Sequence, residues 1–274
     1  MKKHFLIKLW SIASGLIVLS IVTFFIHFIV TNGIDALSYE FITQKPKGTP
    51  LGTEGGIFPA IMGSIYFTLI AVAFASIMAF STSIYLVFYC KGKRTKGLVR
   101  FVIGTIAGIP SIVLGLFGYS FFVVYLDFGI SILTGGIVLG IMIFPYIEVR
   151  FEKSFLEVNR SMIEASYSLG ISRLYTIFKI VLPICIKDLI SAVSLASSFA
   201  IGATAPILFT GGVLYASVPK DILSPAMALP LHLYMLIGEG ISFKNAYGTS
   251  LVLLIVLLLM NSFSLILSIR KEDD

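Results

Sequence analysis

Few residues in this chain combine the type and the spacing needed for chemistry. Ser198, Thr204 and Thr210 stand around Pro206 in one apolar stretch. They could stabilise a passing anion with hydroxyls, amides and helix N-termini in place of a buried cation. Hydroxyls in apolar helices more often bond their own backbone, and that is the competing structural reading of all three. Ser161 and Glu164 have the spacing of a capping box, in which the serine accepts from a helical amide while the glutamate reaches back. A short helix then runs to Leu169, Gly170 suits the left-handed position that ends it, and Ser172 caps a second turn carrying Tyr175, Ile177 and Phe178. This helix–glycine–helix elbow has an apolar face that wants a partner; a plain surface helix is the alternative.

The absences narrow the function further. The long apolar stretches hold no Asp, Glu, Lys or Arg, and their one histidine, His27, reads as packed or interfacial. Ion-coupled pumps usually place ionisable groups in their spans. Intramembrane hydrolysis needs a placed nucleophile, metal site or carboxylate pair, and none is present. Without a G-x-x-x-x-G-K-[ST] run the chain has no P-loop, so uphill transport would draw its energy from another subunit. Cys90 and Cys185 have neither metal nor redox spacing.

The elements that must position these residues follow from hydropathy. At 274 residues, mean hydropathy +1.00 and 12% charge, the chain has about half the charge of a soluble domain, so it reads as an all-α membrane protein. Charge-free windows at 9–34, 55–90, 101–126, 128–147, 189–219 and 245–269 are each long enough to cross the bilayer once. The expected spans are 9–30, 63–89, 101–125, 130–147, 189–210 and 247–269, with a loop over 148–188, in a single membrane domain. Residues 222–238 hold Pro225 and Pro230 and read as a short surface or re-entrant element. Pro110 and Pro206 should break their spans, and Gly104/Gly108 and Gly136/Gly140 fit close helix crossings.

Basic residues orient the chain. Placing both termini in the cytoplasm leaves only Lys45, Lys47, Lys220 and Lys244 outside, and the other sixteen of the 20 Lys and Arg residues inside. The sequence pI near 9.2 therefore reports topology in a multi-pass cell-membrane protein; no basic groove with interleaved aromatics supports nucleic-acid binding. The loop 148–188 becomes the one sizeable cytoplasmic structure.

The elbow resembles a known pattern. Glu164-Ala165-Ser166, three residues, Gly170, nine residues, then Ile180-x-Leu182-Pro183 is similar to the EAA loop of ABC-importer permeases, with Ser166 for the second alanine. Wider likeness to the phosphate-specific, PstA-type permeases is carried by residues 54–61 (EGGIFPAI), 109–115 (IPSIVLG), 200–206 (AIGATAP) with 208–210 (LFT), 229–234 (LPLHLY), 245–250 (NAYGTS) and Asn261. The resemblance implies a type I ABC-importer permease fold and a phosphate path shared with a second permease subunit in a heterodimer. It also implies an extracytoplasmic phosphate-binding protein and a cytoplasmic ATPase dimer that holds the ATP and receives the elbow; this chain binds no cofactor itself. The family pattern Gly-Glu-Thr-Ala-Pro reads Gly202-Ala203-Thr204-Ala205-Pro206 here, and the arginine that often precedes it is missing from Ser197-Ser198-Phe199. That departure keeps another oxyanion of the sulfate, molybdate or tungstate kind open as cargo. An ATP-independent carrier or channel is the remaining alternative.

Overall fold

The computed structural model describes the backbone of residues 2–269 and the side chains of residues 7–266; Arg270 and Lys271, used above for topology, lie outside the described residues. The first helix, α1 (Lys2–Gly33), is apolar on every face and most of its surface is uncovered. A helix of that kind needs lipid or protein around it. Its far end meets the last helix, α12 (Phe243–Ile269), through an edge-on contact of Phe28 with Tyr247 at 5.7 Å. The intervening segment is ordered: Ser38 caps the short α2 (Tyr39–Thr43), and β1 (Pro46–Lys47) pairs antiparallel with β2 (Glu54–Gly55). Asn245 holds that hairpin to α12 by donating to the Gly52 and Thr53 carbonyls at 2.7 and 3.1 Å.

Two helices form the spine. In α3 (Phe58–Ile84, continued by a π turn over Tyr85–Tyr89), Ala71, Ala75 and Ala79 recur at helical spacing and are fully buried. Opposite them, in α6 (Ile132–Glu157), Gly136 and Gly140 let the backbones approach. A Cβ on Gly140 would stand 2.9 Å from the Ala71 carbonyl oxygen, and one on Gly136 would stand 2.6 Å from Ile70. Lipid tails are as apolar as leucine, so helices in membranes associate through close packing of this kind. The other glycine pair behaves differently. A Cβ on Gly104 would meet nothing within 4 Å, so Gly104 and Gly108 form no crossing within this chain.

Prolines break two of the expected spans. Residues 101–125 are not one helix: α4 (Lys93–Ala107) and α5 (Ser111–Gly118, continued by a π turn over Tyr119–Tyr125) meet at 97°, with Pro110 starting the second arm. Likewise 189–210 divides into α9 (Leu182–Ile201) and α10 (Ala205–Thr210), with Pro206 in the first turn of the latter. Proline lacks the N–H that a helix interior requires but fits a first turn. Five helices are long and apolar enough to cross a membrane among the described residues, six if the α4–α5 pair is one broken span.

Helix ends do not follow the charge boundaries. α6 continues past residue 147 to Glu157, and α9 starts at Leu182, so the loop expected over 148–188 begins and ends inside the two long helices. The cause is inward-facing charge: Glu148 and Glu152 are buried, and Glu152 accepts both Nη2–H (2.6 Å) and Nε–H (3.2 Å) of Arg100 on α4. Residues 222–238 are packed into the bundle. The Ser224 and Ile222 carbonyls accept from the first amides of α6, at 3.0 and 2.9 Å, satisfying donors that a helix start leaves free. The following α11 (Leu229–Gly238) is buried against α12, where His232 Nδ1 lies 3.3 Å from Thr249 Oγ1.

Two outcomes follow. Gly140→Val should lower the thermal midpoint of the purified chain, by about 1–3 kcal/mol of overpacking, whereas Gly104→Ala should leave it within about 0.5 kcal/mol. Glu148 is 1% exposed, its Oε1 has no partner, and it stands one helical turn from Glu152 on the same face. Glu148→Gln should therefore be neutral or raise the midpoint, while Arg100→Met, which removes the only cation paired with this carboxylate pair among the described residues, should lower it.

Candidate functional site

The elbow leaves the bundle where Val158 turns extended after α6. Here the capping box is corrected. Asn159, not Ser161, is the N-cap of α7 (Arg160–Ser168); its Oδ1 accepts from the Ser161 N–H at 3.0 Å and the Ser161 hydroxyl at 2.7 Å. Glu164 is thereby free of the capping role. It lines a cavity of about 480 Å³ with Lys96, Arg160 and Tyr167, between the elbow and the end of α3. Ala165 is exposed beside it.

The glycine and the second cap stand as the sequence suggested. Gly170 has φ +74, the left-handed region that a Cβ disfavours, and the Ile171 N–H returns to the Ser166 carbonyl at 3.1 Å. Ser172 accepts from the Tyr175 N–H to start α8 (Arg173–Thr176), and a π turn over Ile177–Val181 leads into α9 with Pro183 in its first turn. Ser166, read from sequence as a small replacement, has a role of its own. It is buried, it donates to the Ile163 carbonyl at 2.8 Å, and its Oγ lies 2.9 Å from Thr176 Oγ1, clasping the two arms of the elbow. Thr176 gave no signal in sequence because its partner lies on the other arm.

The outer face of the elbow is uncovered. Leu169 is 78% exposed, and Leu174, Tyr175 and Met162 are also exposed. Its inner face is held: Phe178 meets Phe80 at 6.3 Å between ring centres, Phe80 and Phe88 both meet Phe155 at about 6 Å, and the Arg173 guanidinium sits 5.8 Å over the Tyr89 ring. Ile180 is half-buried, and Leu182 packs on the core. An outward apolar patch on an inwardly fixed elbow is a lever shape.

The four residues expected on a path are not all brought together. Thr210 is fully buried and donates to the Pro206 carbonyl at 2.6 Å; Pro206 is buried where α10 packs on Gly115 of α5. Thr204 is half-buried in the break before α10, and Ala203, in the slot that is acidic in the family pattern, packs there against the core. Only Ser198 reaches a cavity. Its one hydroxyl proton is shared between the Leu195 carbonyl at 2.9 Å and Asn261 Oδ1 of α12 at 3.0 Å, on a cleft of about 460 Å³ between α6, α9 and α12 that Arg150 also lines. A second cleft of about 460 Å³ adjoins it and shares Arg150 and Asn261. Arg150 was counted only for topology in the sequence, because nothing there indicates which face of α6 it takes.

Comparison with known proteins agrees with this geometry. The chain is 28% identical over 260 residues to the probable ABC transporter permease protein YqgI of Bacillus subtilis, covering 89% of this chain and 88% of that one. Against the phosphate transport system permease protein PstA of Mycobacterium leprae it is 30% identical over 266 residues, covering 95% and 87%. The probable phosphate transport system permease protein PstA of Methanocaldococcus jannaschii is 32% identical over 211 residues, 75% of this chain and 73% of that one. Among solved structures, a chain of the inward-facing MetNI methionine ABC transporter superposes with TM-score 0.63 at 18% identity, over 77% of this chain and 94% of that one. A chain of a bacterial alginate ABC transporter bound to its pentasaccharide-loaded periplasmic protein does so with TM-score 0.63 at 12% identity, over 95% and 91%. The fold is therefore that of a type I ABC-importer permease. Residues 85–270 match the family described as binding-protein-dependent transport system inner membrane component, and the chain belongs to that family.

Proposed function

We propose that this chain is a membrane-spanning subunit of an ATP-driven importer of inorganic phosphate. The observation that carries the reading is the elbow: a rigid, capped unit with an uncovered apolar outer face, in a chain similar over most of its length to phosphate-transport permeases. Two permease subunits, most economically a heterodimer, form the path between them. A binding protein delivers phosphate from outside, and an ATPase dimer takes the elbows of both permeases. Both termini and the elbow face the cytoplasm, in accord with the placement of most basic residues. ATP is bound and hydrolysed on the partner chains, and this chain contributes no nucleotide site.

The mechanism is differential contact in two states. Closure of the ATPase dimer displaces Leu169, Leu174 and Tyr175, and the aromatic contacts of Phe178 and Arg173 pass that displacement to α3 and α6. The bundle then rocks between inward- and outward-open forms, as packed elements with two arrangements do. Ser198 and Thr204 offer hydroxyls to the anion. Pro206 shapes the break that exposes Thr204, and Thr210 holds that break in place through the Pro206 carbonyl.

Leu174→Glu should weaken co-purification of the ATPase subunit at least about tenfold while the permease still inserts in the membrane. Gly170→Pro should do the same, since proline cannot adopt φ +74. A wild-type chain that co-purifies no ATPase would identify an ATP-independent carrier instead, and normal ATPase association in both variants would remove the elbow as the docking site. Ser166→Ala should loosen the elbow by about 0.5–1.5 kcal/mol by removing the hydroxyl contact between its arms, Thr176 keeping its bond to the Ser172 carbonyl, read as faster amide exchange over 160–180. Uptake of labelled phosphate by cells should depend on this chain and resist excess sulfate, molybdate or tungstate. Competition by one of those at equal concentration would reassign the cargo to the oxyanion that Ala203 keeps open.

A further inference from the structure

The cleft beside Ser198 carries a charge that the residues expected on the path lack. The cleft that holds Ser198 and Asn261 is lined by a single charged residue, Arg150, and Arg150 makes no ion pair among the described residues. The adjoining cleft also contains Lys153, Glu157 and Asp188. There, Lys153 lies 3.7 Å from Glu157, and Asp188 accepts from the Ser154 hydroxyl at 3.2 Å. Positive charge is therefore partly offset toward the elbow end and stands alone where the two clefts meet.

We propose that Arg150, with the amide of Asn261 that Ser198 holds, is an anion-binding station for a tetrahedral oxyanion inside this permease, a reading that rests on the phosphate-importer assignment above. The geometry supports it in three ways. Asn261 Oδ1 is taken by Ser198, which leaves the two N–H donors as the free groups of an amide that lines the same cleft as Arg150. A guanidinium offers a planar fork that matches two oxygens of such an anion. The wall opposite is apolar, with Leu195, Leu257 and the Phe199 ring, itself 5.1 Å from Tyr146, so no carboxylate lining that cleft competes for Arg150. Arg150 stands about 27 Å along α6 from Ile132, at 1.5 Å per residue, which puts it near the inner margin of the bilayer core instead of its centre. The cation lost from the fifth span is thus replaced from the fourth. A lipid headgroup phosphate has the same chemistry as free phosphate and could reach the same station from the side.

The test uses the native importer in cells and the co-purified permease–ATPase complex in liposomes, with labelled inorganic phosphate as probe. Arg150→Gln should lower the maximal phosphate uptake rate about tenfold or more, with ATPase co-purification unchanged, and Arg150→Lys should recover part of it by keeping the charge without the fork. Asn261→Asp, which sets a carboxylate beside Arg150 at the same size, should lower uptake similarly; it decides the matter if Arg150→Gln fails to assemble. Wild-type rates in both variants would overturn the station. So would a wild-type complex that transports only when phosphatidylglycerol is added to phosphatidylcholine liposomes and retains that lipid through Arg150, since the site would then belong to a headgroup. Wild-type cells that take up no phosphate through this importer would instead overturn the cargo assignment, an outcome separate from any difference between the variants.

Discussion

The close approach of α3 and α6 is the contact on which the rest of the structure depends. In lipid there is no hydrophobic force to draw two apolar helices together, so contact area and small side chains must supply the attraction. Ala71, Ala75 and Ala79 against Gly136 and Gly140 meet that need over several turns. At one end of the seam the Phe67 ring lies against both Gly135 and Gly211, which fixes the end of α10 to the same pair, and the Ala226 N–H donates to the Gly211 carbonyl at 3.1 Å. At the other end Phe80, Phe88 and Phe155 receive Phe178, which fixes the elbow. A spine anchored at both ends is what allows a push at one end to be felt at the other.

The third wall of the groove is joined differently. α9 meets α12 through hydroxyls: Ser191 and Ser264 lie 2.9 Å apart, Ser194 donates to the Met260 carbonyl at 3.1 Å, and Ser198 bonds Asn261. Such bonds can exchange partners, whereas an interdigitated alanine–glycine seam cannot shift by a fraction of a turn without clashes. The clefts open along this hydroxyl-joined wall. Rigid coupling on one side of α6 and adjustable contact on the other is the division that an alternating-access bundle requires.

Much of this was readable from residue order, and the reasons for what was not are local. Charge-free windows mark apolar helices because a bilayer core excludes ionised side chains, and Pro110 and Pro206 mark breaks because a missing N–H cannot be repaired inside a helix. Gly170 was legible because only one residue type suits its backbone angle. The helix ends around 148–188 were not, since Glu148 and Glu152 sit inside a continuing helix, and only the position of Arg100 on another element explains why. Ser161 was mistaken for the cap because Asn159 meets the same chemical requirement two residues earlier. Ser166 and Thr176 are far enough apart in the chain that their shared bond has no periodic signature. Gly104 shows the converse: a packing motif in sequence without a packing partner within this chain.

The same logic explains where charge stands in the bundle. A cation at the bilayer centre is expensive to keep and would hold an anion too firmly for it to leave, so a conducting path favours weaker or displaced sites. At the break between α9 and α10, Ala203 leaves neither acid nor base, and the hydroxyl of Thr210 is spent on its own backbone. Arg150, toward the C-terminal end of α6, lines a cleft whose other polar residues, Tyr146, Ser198 and Asn261, are neutral. In the proposed station the charge stands at the end of the fourth span and not in the fifth, which lowers the desolvation cost of holding it, because the arginine stem can reach toward water along an apolar wall. The low charge of the chain is therefore an arrangement as much as a composition: charge is kept out of the seam, paired beneath α4, and left available at one point in the groove.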